Sequence, residues 1–262
     1  MVVKMKTILL TFDIEEFDLP LEFGRKISED RQLEISKEGT ERIIELLERN
    51  NVKATFFVSA KFAKHYPNLI KKISEKHEIG LHCLEHNENY SKMNEEEVYE
   101  RIKTAKNIIE RIINKKIVGF RSPRFQQVSY EKLNEIGIIY DSSLNPTYVP
   151  GRYNHFFSPR KIFSKKNVKV IPLSVSPILR LPLFWLAFRN FPLFYARYIT
   201  NRNKNYVCLV FHPWEFVNLE TMNLPKLIKR NTGEKLIEKL QRYIDIYRKC
   251  DFSTIYSYLL TS

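Results

Sequence analysis

The sequence predicts an α/β fold in which a parallel sheet closes as a barrel, in one domain over residues 1–262. Three observations carry this. Short apolar runs alternate with amphipathic helical patterns along most of the chain. The runs are apolar throughout rather than at every second residue, which marks strands covered on both faces by helices. No Gly-rich turn follows any strand, neither GxGxxG nor a P-loop, so the doubly wound nucleotide-binding alternative lacks its signature.

The elements follow in order. Thr7–Phe12 (TILLTF) reads as the first buried strand, and Ile35–Asn50 as an amphipathic helix with Ile43, Leu46 and Leu47 on one face. Ala54–Val58 (ATFFV) is the second strand, Pro67–Lys76 a helix and Glu78–His82 a strand end. Glu95–Ile113 is a long helix, with Asn94 at its N-cap and Glu97 three residues on. That pair forms a capping box, which satisfies two otherwise unpaired donors. Ile117–Phe120, Ile138–Tyr140, Val168–Ile171 and Val207–Phe211 are further short strands. Thr232 caps a last helix to Arg248, and Phe252–Ile255 is a closing strand, so that 232–256 completes the barrel.

Composition bounds the function. With 44% hydrophobic residues the chain can bury a sizeable core, which excludes disorder, and only 7 glycines exclude a collagen-like or Gly-rich chain. The net charge of +13 admits nucleic acid, an anionic membrane surface or an acidic polymer as partner. Many positives stand beside acids on helices, as in Lys71–Lys76, and solvated helix faces account for them. No nucleic-acid-binding module is present, so no such partner is expected. Cys83, Cys208 and Cys250 are widely spaced and read as reduced structural thiols of an intracellular protein. Met1–Lys6 leads straight into Thr7–Phe12, a run too short for a signal core or a membrane span, and acids follow. A soluble, cytoplasmic protein is expected.

Five segments place chemistry-bearing side chains at predicted strand ends, where parallel α/β folds build their sites. In Thr11–Asp18, Asp13 and Glu15 stand at i, i+2 and converge on one side while the backbone stays extended. Buried carboxylates at a strand end bind a metal, pair with a cation or act as a base. By itself this cluster reads equally as an acidic loop. In His82–His86 two imidazoles at i, i+4 share the face of a helical turn and suit zinc. Arg121, between a strand and Pro123, can hold a carboxylate bidentately. His212 comes straight off an apolar strand, poised for proton transfer near neutral pH, with Asp141 as a carboxylate to orient it. His65 and His155 lack such context and read as surface or packing residues.

In order, these pieces resemble the polysaccharide deacetylases of carbohydrate esterase family 4, the nodulation-type chitooligosaccharide deacetylases. Thr11–Glu15 is similar to that family's acidic first motif and His82–His86 to its metal-binding second motif. Arg121-Ser122-Pro123, Asp141-Ser142-Ser143 and Leu209–His212 are similar to the third, fourth and fifth, and the likeness runs from about Lys6 to Phe216. Asp13-Ile14-Glu15, Arg180-Leu181-Pro182 and His212-Pro213-Trp214-Glu215 further resemble the subgroup found with capsule and exopolysaccharide loci.

The resemblance implies a distorted (β/α) barrel of about seven strands. It implies a divalent metal, most often zinc, on His82 and His86, with Asp13 as general base, Arg121 holding that base ionised and His212 as general acid oriented by Asp141. The backbone N–H of Arg124 would help stabilise the oxyanion, and Pro123 and Trp214 would contact the substrate. The family pairs two aspartates where this chain has Asp13-Ile14. Glu15 is taken as the replacement metal ligand, and Asp13 itself ligating is the rival assignment.

The activity implied is removal of N-acetyl groups from amino sugars of a glycan or its lipid-linked precursor. Two alternatives stand beside it: hydrolysis of another C–N bond, such as that of a cyclic ureide or imide, and a catalytically silent glycan binder, which Ile14 would permit. The aromatic stretch Ile178–Ile199 reads as a helix and loop lining the barrel, or as a patch that meets the inner face of a membrane.

Overall fold

Alternate residues of the first strand face two different cores. In the computed structural model, which describes residues 6–261, strand β1 (Thr7–Ile14) sends Ile8, Leu10, Phe12 and Ile14 into the large apolar layer shared with the helices. Leu9 packs instead in a second cluster with Phe57, Tyr140 and Val210. Both faces of β1 are therefore buried, which is why its sequence reads as a continuous apolar run.

The other strands of this sheet are β2 (Thr55–Val58), β3 (Glu78–Leu81), β4 (Gly119–Phe120), β5 (Tyr140–Asp141), β6 (Phe163–Lys165), β7 (Val168–Val170), β8 (Tyr206–Phe211) and β9 (Asp251–Phe252), and Tyr148–Val149 pairs with Tyr153–Asn154 as a separate hairpin. Their order is β8-β1-β2-β3-β4-β5-β7-β6, parallel throughout except for the β6–β7 hairpin. β2 pairs with β1 from Thr11 to Ile14, and β9 pairs with Thr7 and Ile8. The sheet curls back on itself just past β7. Ser174 N donates to Cys208 O at 3.0 Å, and Cys208 N donates to Ser174 Oγ at 2.9 Å, so an irregular segment joins the two ends. The result is a distorted, incompletely closed barrel, in line with the barrel the sequence predicts, although its sheet has nine strands among the described residues where the family resemblance implies about seven.

Helices α1 (Glu29–Arg49), α2 (Ala60–His65), α3 (Pro67–Lys76), α4 (Glu95–Ile113), α5 (Tyr130–Glu135), α6 (Trp185–Asn190), α7 (Leu193–Arg202) and α8 (Glu234–Ile246) cover the sheet, and α9 (Ile255–Thr261) ends it. The Asn94–Glu97 capping box forms as read. α1 begins earlier than its apolar pattern, because Ser28 accepts from Arg31 N and caps a polar first turn. Gly39 on α1 is required by packing: a Cβ there would stand 1.8 Å from Pro213 O.

Three expectations change at the C-terminus. Gly233, with φ +65°, precedes α8, whereas Thr232 Oγ1 accepts from Leu219 N and donates to Lys229 O. The strand there is only Asp251–Phe252. The chain then turns helical from Ile255, because that helix's first N–H groups find buried acceptors: Ile255 N donates to Thr55 Oγ1 at 2.9 Å and Tyr256 N to Glu78 Oε2 at 3.1 Å. No helix among the described residues is long and apolar enough to cross a membrane. Met1–Met5, on which the leader reading partly rests, and Ser262 lie outside the described residues.

Candidate metal centre

The barrel's C-terminal rim gathers the acidic end of β1, the loops after β3 and β4, and the turn after β8. Strand alternation explains the first of these. Thr11 and Asp13 stand on the opposite face from Phe12 and Ile14, and both reach the buried Arg121. Ile14 points into the helix-covered layer, so the next inward position falls to Glu15. Ser36 Oγ pins the Glu15 carbonyl at 2.6 Å.

Glu15 Oε2 lies 3.1 Å from His82 Nε2 and 3.0 Å from His86 Nε2. Among the described residues these three form the group whose ligand atoms lie within 4.8 Å of one another. Two donors, each about 2.0–2.1 Å from a tetrahedral zinc, stand about 3.3 Å apart, so the observed spacing fits one small divalent cation. The opposite ring nitrogens support the same assignment. His82 Nδ1 meets the Arg121 carbonyl at 2.7 Å, and His86 Nδ1 meets Asp18 Oδ1 at 2.8 Å. Such partners fix the tautomer and leave each Nε2 for a metal.

The two rings stack 5.9 Å apart at 13°. The expected helical turn is absent, for His82–His86 is a loop. Its shape is set instead by Glu16, whose Oε2 accepts from His86 N at 2.7 Å and whose Oε1 accepts from Ser59 Oγ at 2.6 Å.

Electrostatics follow from burial and charge. Burial pushes Glu15 up, but the His86 and His212 charges and the imidazole hydrogen bonds outweigh it and hold the carboxyl well below its usual range. Burial pushes His86 down, but Glu15 and Asp18 lift it to about 10. The field that lifts this imidazole is one that draws a cation.

Arg121 is inaccessible to solvent. It donates to Asp13 Oδ1 at 2.8 Å, Thr11 Oγ1 at 2.7 Å, and Ser142 O and Oγ at 2.9 Å each, with its guanidinium 4.3 Å over the Phe57 ring. The carboxylate grouped with the histidines is therefore Glu15, while Asp13 is engaged by Arg121.

His212 stands across from this group, with Nε2 3.9 Å from Glu15 Oε1. Its Nδ1 meets Glu215 Oε1 at 3.3 Å, and its backbone N–H donates to the same oxygen at 2.8 Å. The expectation that Asp141 orients His212 is thus corrected. Asp141 accepts from Ser143 N and Ser143 Oγ, and burial pushes its carboxyl up to about 6. The reason is geometric: β5 is separated from β8 across the barrel, whereas Glu215 is three residues from His212 on a Pro213–Phe216 turn. Glu215 is itself held by the buried Arg189 at 2.8 Å.

The imidazole of His212 stacks on Trp214 at 5.1 Å and takes the edge of Trp185 at 5.3 Å. Arg124, in the left-handed region at φ +52°, donates to the His86 carbonyl at 2.6 Å and to Asp18 and Glu22. Asp13, Glu15, His82, His86, Arg124, His212, Trp185 and Trp214 line one cleft of about 220 Å³. Pro123 is buried and does not line it.

The family model for polysaccharide deacetylases matches residues 2–135. The chain belongs to this family. A peptidoglycan-N-acetylglucosamine deacetylase of Bacillus cereus is 35% identical over 99 residues, which covers 37% of this chain and 34% of that one. The corresponding PgdA enzyme of Listeria monocytogenes is 36% identical over 77 residues, covering 29% and 16%. The chain therefore spans about a third or less of the curated relatives it matches.

Among solved structures, a Mycobacterium smegmatis protein described as a polysaccharide deacetylase aligns with TM-score 0.67 at 18% identity, over 97% of this chain and 89% of that one. The allantoinase PuuE aligns with TM-score 0.65 at 17% identity, over 98% and 90%. A family 4 pseudoenzyme from Bacillus anthracis aligns with TM-score 0.57 at 15%, over 98% and 66%. These likenesses show a shared fold that carries more than one activity and, in one case, none.

Glu215, Arg189, Asp18 and Trp185 were not among the predicted site residues. Glu215 carried a signal, since it stands at i+3 from His212 in the fifth segment, and Asp18 closes the first. Arg189 and Trp185 carried none beyond their place in an aromatic run.

Proposed function

We propose that the protein is a metal-dependent hydrolase that removes N-acetyl groups from amino sugars of a glycan. The observation that carries this is the convergence of Glu15, His82 and His86 on one point, flanked by the Arg121-bound Asp13 on one side and His212 on the other. Two imidazoles and a carboxylate suit zinc, which when bound supplies Lewis acidity and lowers the pKa of water.

The chain's own residues do the rest. Asp13 takes the proton of the attacking water, with Arg121 and Thr11 fixing its carboxylate. His212 Nε2 gives a proton to the departing amine, and Glu215 on Nδ1 stabilises the imidazolium it donates from. Trp185, Trp214 and Tyr153 supply apolar walls on which a pyranose ring stacks. Ile14, which opened the reading of a silent binder, is offset by Glu15, whose carboxylate stands where a ligand is needed. Three unpaired cysteines, two of them buried, support a reducing, cytoplasmic setting.

Acetate release from N-acetylated aminoglycan oligomers tests the proposal. Release that is abolished in Asp13→Asn supports it. Turnover of cyclic ureides with no acetate from any oligomer would move the site to the second C–N hydrolase reading. No turnover of either class would leave a binder.

A further inference from the structure

We propose that the face built by the loop around Phe157, the hairpin tip Pro177–Arg180 and the outer side of α7 docks on an anionic membrane surface.

The first support is charge segregation. Residues 142–214 contain no Asp or Glu and eleven Lys or Arg, so this stretch holds +11 of the chain's +13. The second is exposed apolar surface in the same stretch. Phe157, Ile178, Phe194 and Leu179 are 90%, 84%, 70% and 68% exposed, values far outside what a packed aliphatic or aromatic side chain shows.

Contacts tie these residues into one surface. Val175 and Pro182 bridge at the base of the hairpin, and Ser176 N donates to Leu181 O at 2.9 Å. Ile178 and Leu179 are thereby presented at a constrained tip. Arg180 donates to Ser158 O at 2.9 Å and covers the Phe156 ring at 5.8 Å, joining the tip to the Phe157 loop. Tyr195 Oη donates to Pro182 O at 2.8 Å and Asn203 Nδ2 to Val175 O at 3.1 Å, laying the hairpin along α7. On α7, Phe194 and Tyr198 share one exposed face at i, i+4, flanked by exposed Arg197 and Arg202.

Apolar tips set among cations match a bilayer interface, where the tips enter the acyl boundary and the cations meet anionic headgroups. Nucleic acid offers the charge but no apolar phase for Ile178 and Leu179.

The surface also leads to the cleft. From Ile178 to Trp185 is seven residues, at most about 25 Å of extended chain, and Trp185 packs on His212. If the deacetylase reading holds, a docked molecule presents its cleft to a lipid-anchored glycan; the docking itself does not depend on that reading.

Flotation with vesicles of phosphatidylcholine alone, or with about one third phosphatidylglycerol, tests the surface at low salt. The intact protein should float with the anionic vesicles. The exposed double substitution Ile178→Asp/Leu179→Asp, checked for an unchanged Tm, should weaken partitioning at least about tenfold. Asp13→Asn should float like the parent, so loss of acetate release and loss of docking are read separately. No binding to anionic vesicles overturns the proposal, as does equal binding by the double variant. A concentration-dependent dimer that the double variant abolishes would assign the face to a second copy of the chain instead.

Discussion

Arg189 Nη1 donates to Glu215 Oε2 at 2.8 Å beneath His212, and neither side chain is accessible to solvent. Glu215 therefore links a structural cation to the imidazole proposed as the proton donor. Arg189→Met strands a buried carboxylate and should cost about 3–5 kcal/mol, read by denaturant titration. A loss below about 1 kcal/mol would mean that water reaches Glu215.

The same relationship ranks two carboxylates. Glu215→Gln removes the charge on His212 Nδ1 and should lower kcat at least about tenfold. Asp141→Asn leaves that contact in place and should lower kcat less. The opposite ranking would return the orienting role to Asp141.

Metal content separates the two assignments at the first motif. Glu15→Ala, His82→Ala and His86→Ala should each lose the bound metal, measured per chain by emission spectroscopy. Asp13→Asn should keep it while losing about 10²–10⁴ in kcat, the range for a general base. A metal-free Asp13→Asn beside a metal-replete Glu15→Ala would reverse the roles. A chelator should also lower the Tm of the parent, because a cation that binds only the folded state stabilises it by mass action.

His77 should make the protein acid-sensitive. Both of its ring nitrogens are buried without a hydrogen-bond partner among the described residues, its ring meets Phe56 edge-on, and burial holds its pKa down to about 4. The unfolded chain protonates this histidine near 6.5 and the folded chain only near 4, so stability is full above pH 6.5 and falls as pH drops between them. His77→Phe should remove about 1–2 kcal/mol of that loss at pH 4.5. Equal acid sensitivity in both proteins would assign the effect to other groups.

Much of the fold was legible because its signals are local. A run apolar on both faces, as at Thr7–Phe12, is stable only inside a covered sheet, and the Asn94–Glu97 box closes within four residues. The C-terminus was less legible for the same reason. Whether 252–255 extends or turns helical depends on acceptors supplied by Thr55 and Glu78, 200 and 178 residues away.

The site divides along the same line. The sequence by itself determined which side chains stand at strand ends as candidates for chemistry: two histidines after β3, carboxylates at the end of β1, Arg121 before a proline and His212 off an apolar strand. Strand period allowed Asp13 and Glu15 to share one face, and the family resemblance left the metal carboxylate between these two, because Ile14 cannot bind a metal. Only the tertiary structure decided the partners. Glu15 rather than Asp13 meets the imidazoles, Asp18 and the Arg121 carbonyl hold their far nitrogens, and Glu215 with Arg189 replaces Asp141 behind His212. The physical reason is that spacing along a chain fixes which face a side chain presents. Which group it then touches is set by the curl of the sheet, which brings residues 26 to 108 positions apart within hydrogen-bond reach.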